Sequence, residues 1–388
     1  MKIYNIRTIL FSLLIAYYPI LSSYGIRSGN VDFATILLLG FFVCTLPTKL
    51  YKNMFLPLIA YTVCASVISI VLIENYEVSL TLIFFRLAKI TIVLFLVFVC
   101  GYWQEYYNEK FVFSYIKKMI YIATFFIVAQ RVLFVLGTVL KNPFIEFAID
   151  AAYINEYTMV AGAFFRPSAF FLEPAHFTLY AFVFLVYSLF HTHNMKDTLV
   201  VCVGILCTGS GMGVVGIGVF IASYVLIQLR QRILTATLIS TSSILLYFWL
   251  VRMPFFRYVI ERFTTDNTQS GGNAIQARIG VGYEMFLQTD LYRQLFGSGY
   301  GNIIQGEYFN GMTYVLNTLG IIGALIFCLT ILNAIHHGSL WKKIGLLSFL
   351  GLSFLSQMFT PASLVFYFCI YGTNLKKEKD TFPKERLV

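Results

Sequence analysis

The sequence predicts an all-α polytopic membrane protein of about twelve transmembrane helices, with two long outer loops. Three observations carry this expectation. Of the 388 residues, 59% are apolar and 12% charged, against roughly 25% charged in a soluble globular chain. The apolar residues fall in repeated runs of helix length, which selects a bundle over a barrel. The basic residues, which set a net charge of +10, collect in short connections and in the tail, as positive-inside asymmetry requires.

Apolar runs mark spans near 6–24, 31–46, 54–73, 80–101, 113–136, 169–190, 198–208, 212–228, 233–250, 313–332, 344–359 and 361–373. Two regions, 198–228 and 344–373, read either as one long span or as two. Charge decides both. With a cytoplasmic N-terminus and twelve spans, Lys49, Lys117, Lys118, Lys196, Arg230 and Lys343 all lie inside. Merging 198–228 moves Arg230, Arg232 and the later inside cations out. Merging 344–373 exposes Lys376, Lys377, Lys379, Lys384 and Arg386. Twelve spans with both termini cytoplasmic is the expected topology, in a single transmembrane domain over 1–388. The positive charge is then a matter of topology, and no nucleic-acid partner is expected.

Lys2 and Arg7 before an apolar run imitate a signal peptide. No small-residue cleavage site follows, and the run continues through Tyr17, Tyr18 and Pro19, so an uncleaved first span is expected. The seven cysteines all fall within or at the ends of apolar runs, without a CxxC, so neither a disulfide framework nor a metal site is read. The two long outer segments are 137–168 and 251–312. Both mix apolar with charged residues and read as pieces lying against the bilayer, apart from the polar, glycine-rich stretch 264–272.

The fourth span carries Arg86 and Lys89. A cation near the centre of a membrane helix costs roughly 2.5–3.5 kcal/mol on insertion scales, and positions i and i+3 share a face. At 1.5 Å per residue, Arg86 lies roughly 9 Å and Lys89 roughly 13 Å below the outer end of this span. They serve either to hold an anion or to close an internal salt bridge, for which Glu173 is a candidate. Arg131, Arg166 and Arg278 add cations in or beside other spans. Such a gathering near one membrane face suits an anionic ligand, with a lipid-linked phosphate as the leading candidate.

Two segments concentrate further chemistry. In FFRPSAFFLEPAHF (164–177), Arg166 stands just outside span six, while Glu173 and His176 fall in its first turns, with Pro167 and Pro174 suited to a helix start. One reading is an interfacial anchor with Glu173 as its local partner. The other is a phosphate-binding cation with a proton-accepting carboxylate nearby. In 276–302, Arg278 begins a short helix leading to Gly297-Ser298-Gly299-Tyr300-Gly301-Asn302. This glycine run follows no strand, so no nucleotide-binding reading applies. It is either a plain loop or a backbone surface approaching a sugar or phosphate, with Gly299, Tyr300 and Asn302 as contacts. The glycines of 208–218 read as close helix packing.

With these segments in place, the chain resembles the Wzy-type polymerases of O-antigen, capsule and exopolysaccharide, within the group that also holds O-antigen ligases. The resemblance rests on Arg166 with Phe171-Leu172-Glu173-Pro174, on the glycines of 208–218, and on Arg278 followed by Gly297-x-Gly299-x-Gly301 and a helix with Gly320 and Gly323. It implies a GT-C-like glycosyltransferase architecture in the bacterial cytoplasmic membrane, with no cofactor. The implied partners are an undecaprenyl-pyrophosphate-linked glycan, membrane lipid, and a chain-length regulator and flippase of the same pathway. The implied reaction polymerises flipped repeat units at the outer leaflet: an acceptor sugar hydroxyl attacks the donor anomeric carbon and lipid pyrophosphate leaves. Arg166 and Arg278 match the family's two loop arginines, with Arg86 and Lys89 as further pyrophosphate contacts.

One departure stands out. Ligases carry a His shortly before the span after the long loop, and GEYFNGMTY (306–314) has none. Glu307 and Glu173 are the alternative bases, Glu173 preferred for its place at a membrane-embedded helix start, with His176 one turn on. The chemistry needs no metal in principle. Pyrophosphate is a good leaving group, and Arg gives it planar bidentate contacts. The competing readings are an O-antigen ligase and a lipid-linked-oligosaccharide flippase or other transporter.

Overall fold

The computed structural model describes residues 6–26, 31–46, 55–72, 78–100, 103, 106–143, 166–229, 241, 280–302, 309–356 and 358–372. Among the described residues, apart from the two-residue strand segments Gly25–Ile26 and Val31–Asp32, the regular structure is helical. In chain order the helices are α1 (Ile6–Leu21), α2 (Phe33–Cys44), α3 (Phe55–Leu72), α4 (Leu80–Cys100), α5 (Glu109–Val135), α6 (Pro174–Phe190) and α7 (Met195–Thr208). There follow α8 (Gly211–Leu229), α9 (Val281–Gln288), α10 (Leu291–Phe296), α11 (Gly311–His337), α12 (Leu340–Ser353) and α13 (Pro361–Tyr371).

Each expected span coincides with one of these helices except 233–250, where Thr241 alone is described. Three helices, Leu80–Cys100, Glu109–Val135 and Gly311–His336, are long and apolar enough to cross a membrane. Others, such as Phe33–Cys44 and Pro174–Phe190, are apolar but shorter. Span six begins at Pro174 rather than 169, because residues 166–173 form turns and Glu173 takes the extended N-cap position before Pro174. The single short helix expected near 278–296 is two helices, because Asp290 accepts from the Arg293 amide and caps a new start. Arg278 lies outside the described residues, as do 144–165 and 251–279, which hold most of the two outer segments.

The chain forms two compact units. The first comprises Met1–Ser22, Asn30–Val112 and Arg278–Val388. Here α1 lies antiparallel to α2, with Phe11 stacked on Phe41 and the Tyr18 and Thr35 hydroxyls 2.9 Å apart. Helices α12 and α13 are also antiparallel: Trp341 meets Tyr371 at one end and Phe349 meets Phe368 further along. The chain therefore reverses between them, as the charge argument for 344–373 requires. Lys342 is buried at 1% exposure, its ammonium 5.6 Å from the Trp341 ring centroid.

The second unit comprises Ser23–Gly29 and Phe113–Ala277. Thr198 bonds Ser188 at 3.0 Å and Gly204 lies beside Phe177, so α7 runs antiparallel to α6. Thr178 lies beside Gly213, Phe182 meets Phe220, and Phe190 meets Tyr224, so α8 runs parallel to α6. The chain thus turns back at Gly209 and Ser210, and 198–228 is two helices of opposite direction. A side chain at Gly216 would collide with the Phe182 ring, which accounts for the small residues of this run as packing. At the other end, buried Asp197 takes 2.9 Å contacts from the Lys117 ammonium and a 2.7 Å bond from the Tyr121 hydroxyl.

Candidate functional site

In the first unit, the site grows from a break in a helix. Gly320 sits at φ 70, ψ −173 inside α11, a left-handed conformation that favours glycine. The break leaves the carbonyls before it without helical partners, and a buried carbonyl needs one. Three come from outside the helix. The Ser298 amide donates to Asn317 at 2.9 Å and the Gly299 amide to Thr318 at 3.0 Å. The Tyr61 hydroxyl donates to the Leu319 carbonyl at 2.9 Å, and a side chain at Gly323 beyond the break would meet the Tyr61 ring. One phenol therefore lies against both halves of α11 and bonds the first.

The same glycine loop is held from its other side by α3 and α4. Ser69 donates to the Gly297 carbonyl at 3.1 Å, and the Tyr300 amide donates to Ser66 at 2.9 Å. The Arg86 guanidinium donates to the Gly301 carbonyl at 2.8 Å. Tyr300 is buried against the Tyr314 ring, and Asn302 is buried with its amide on the Gly299 carbonyl at 3.2 Å. Arg86, Gly299, Tyr300 and Asn302, read from two separate stretches of sequence, form one assembly. Non-helical backbone packed among apolar helices needs protein groups to satisfy it, and this loop has serines, an arginine and a broken helix.

Lys89, one turn beyond Arg86, is paired. Its ammonium lies 3.1 Å from Asp32, whose side chain is 3% exposed against 26% for Lys89. Asp32 also accepts the Thr35 amide at 2.7 Å and so caps α2. An internal salt bridge is one of the two expected roles of Lys89, and Asp32 is the partner the structure gives it. The signal was present: an Asp immediately before an apolar run is a helix-start signature.

In the second unit, Arg166 is half-buried at the start of the turn segment leading into α6. Glu173 is the N-cap residue of α6 but makes no side-chain cap bond, and His176 is exposed in the first turn. Arg131 donates through Nε and Nη2 to the Cys207 carbonyl, at 3.3 and 3.0 Å. A cation at the C-terminal end of α7 also complements the helix dipole. Sequence reasoning passed over Gln130, a fully buried amide beside it. An amide in an apolar helix was the available signal. Glu307, like Arg278, lies outside the described residues.

Chemically, the first unit offers a guanidinium fixed against a backbone loop, while the ammonium of Lys89, expected as a pyrophosphate contact, is engaged by Asp32. The second offers an arginine and a carboxylate seven residues apart on one turn-rich segment. Compared with known protein families and with characterised proteins, the chain matches none.

Proposed function

We propose that the protein polymerises polyprenyl-pyrophosphate-linked oligosaccharide repeat units at the outer leaflet of the bacterial cytoplasmic membrane. The observation that supports this most is the joining of Arg86 to the glycine loop. Cations in a membrane helix are costly, and a polar assembly of this kind suits an anionic lipid head group.

In the reaction, an acceptor sugar hydroxyl forms a new bond to the donor anomeric carbon. The bond from that carbon to the lipid pyrophosphate breaks, and the electron pair departs with the pyrophosphate. The hydroxyl proton passes to a carboxylate, Glu173 or Glu307. Arg166 and Arg278 hold the pyrophosphate oxygens, where fixed donors in a water-poor site stabilise the charge that develops. Direct displacement gives inversion at the anomeric carbon.

A second reading, a transporter of the same lipid-linked glycan, is favoured by the break at Gly320, since interrupted helices form transporter binding sites. Against it, the carbonyls of Asn317, Thr318 and Leu319 are already occupied by the loop and Tyr61.

Deleting the gene in its native cell separates the readings. A polymerase deletion leaves single repeat units on the outer side without long chains. A transporter deletion leaves lipid-linked repeats trapped inside, and that result would overturn the proposal.

A further inference from the structure

Gln130 is 0% exposed near the C-terminal end of α5. A buried amide needs partners for both its donors and its acceptor, and all of them come from the segments that leave α5 and enter α6. Nε2 donates to the Leu140 carbonyl at 3.1 Å and to Asn142 Oδ1 at 2.8 Å. Oε1 accepts the Ala169 amide at 3.1 Å. Asn142 Nδ2 continues the chain to Ser168 Oγ at 3.0 Å, and Ser168 Oγ donates to the Phe171 carbonyl at 2.8 Å. The network thus ties 140–142 to 168–171, the two stems of the first outer segment.

Ala169 adds a second observation. It is fully buried at φ 52, a left-handed conformation that is unfavourable for a residue with a Cβ. Such a residue persists only where its surroundings over-determine it. Here the determinant is its own amide bond to Gln130. Arg166 stands three residues before this point and Glu173 four after.

We propose that Gln130 is a positioning residue that fixes the 166–173 segment and thereby sets where Arg166 and Glu173 stand. The inference rests on the polymerase reading for its activity consequences, but its structural part does not. A purely structural need for a buried side chain here would be met by an apolar residue of similar volume. The role of Gln130 lies instead in holding an unfavourable backbone turn. If Gln130 is replaced, Ala169 relaxes out of the left-handed region and the segment shifts. A glycine at 169 adopts that region at no steric cost, so it removes the strain that would drive the segment out of the turn once the amide bond is gone.

The test uses the full-length purified protein in lipid nanodiscs, with the seven native cysteines replaced and a nitroxide label on Phe170→Cys. Gln130→Met is expected to mobilise the label and to raise KM for a synthetic lipid-pyrophosphate donor at least tenfold, with a smaller change in kcat. Adding Ala169→Gly is expected to restore both readouts in large part. Should Gln130→Met fail to fold, Asn142→Ala cuts the same network outside the helix and is expected to give the same pattern. Unchanged label mobility and KM in these variants would overturn the proposal, as would mobilisation that Ala169→Gly leaves uncorrected. If the unsubstituted protein elongates no lipid-linked donor, the polymerase reading fails, and label mobility with its rescue still decides the role of Gln130.

Discussion

Arg86 donates a 2.8 Å hydrogen bond to the carbonyl of Gly301, a residue 215 positions later in the chain. This contact joins a membrane-helix cation to the glycine loop that closes the break in α11. Gly301 adopts φ +93, and a Cβ there would lie 2.9 Å from the Arg86 Cβ. Gly301→Ala is therefore expected to cost about 1–2 kcal/mol in backbone strain and to displace the Arg86 side chain. Membrane level should fall modestly and polymer synthesis at least tenfold. Unaltered synthesis at a normal level would remove Arg86 and this loop from the site.

The Tyr61 hydroxyl donates to the Leu319 carbonyl just before the break at Gly320. Tyr61→Phe removes it and leaves the Leu319 carbonyl short of a donor in a part-buried setting. Loss of such a bond costs about 1–3 kcal/mol. The detergent-solubilised variant should melt several degrees lower. An unshifted melting temperature would mean that another group closes the break.

Asp32 and Lys89 should respond asymmetrically. Lys89→Met leaves Asp32, 3% exposed, as a buried carboxylate without its cation, whereas Asp32→Asn keeps the cap on α2 and leaves a lysine with 26% exposure. Removing one partner of a fully buried pair costs about 3–5 kcal/mol, and the access of Lys89 to its surroundings lowers the cost on that side. Lys89→Met is expected to be the more destabilising change, and Asp32→Asn in the same chain to recover part of the loss. Additive effects in that double-mutant cycle would show the pair to be uncoupled.

Much of this was legible in the sequence, and the exceptions have physical reasons. Charge asymmetry separated 198–208 from 212–228 and 344–359 from 361–373, and the reversals at Gly209 and between α12 and α13 bear out both divisions. Hydropathy placed the helices but not the start of α6, because the turn residues 169–173 are apolar enough to read as span. Arg86 and the glycine run were each singled out, but only folding brings them together. Asp32 and Gln130 were missed because their importance comes from partners distant in sequence or hidden in turns.

Topology is tested by cysteine labelling from each side of the membrane. Asn155 and Gly271, which lie outside the described residues, are expected to react from the outer side. On the side expected to be cytoplasmic, the structure directs the choice of probe. Lys342 is buried and Asn194 caps α7 with its side chain, so Lys343→Cys and Lys196→Cys are the suitable reporters. Outer labelling at Lys196→Cys would invert the second unit.

Arg166 and Arg278 are distinguished from interfacial anchors by lysine. A point charge cannot reproduce two parallel N–H···O contacts to pyrophosphate, whereas an anchoring cation tolerates the exchange because lysine also snorkels. Arg166→Lys and Arg278→Lys, corrected for membrane level, should lose nearly as much activity as the Ala variants. Loss of a charged hydrogen-bonding partner corresponds to about 1.5–3 kcal/mol, or ten- to a hundredfold in rate. Full polymer from both Lys variants would defeat the pyrophosphate assignment.

The most direct measurement supplies the purified protein, in liposomes, with synthetic lipid-pyrophosphate-linked repeat units and no sugar nucleotide. The account predicts a ladder of lipid-linked products differing by one repeat unit, with lipid pyrophosphate released at each addition. Movement of the lipid-linked unit across the bilayer with no elongated product would contradict it.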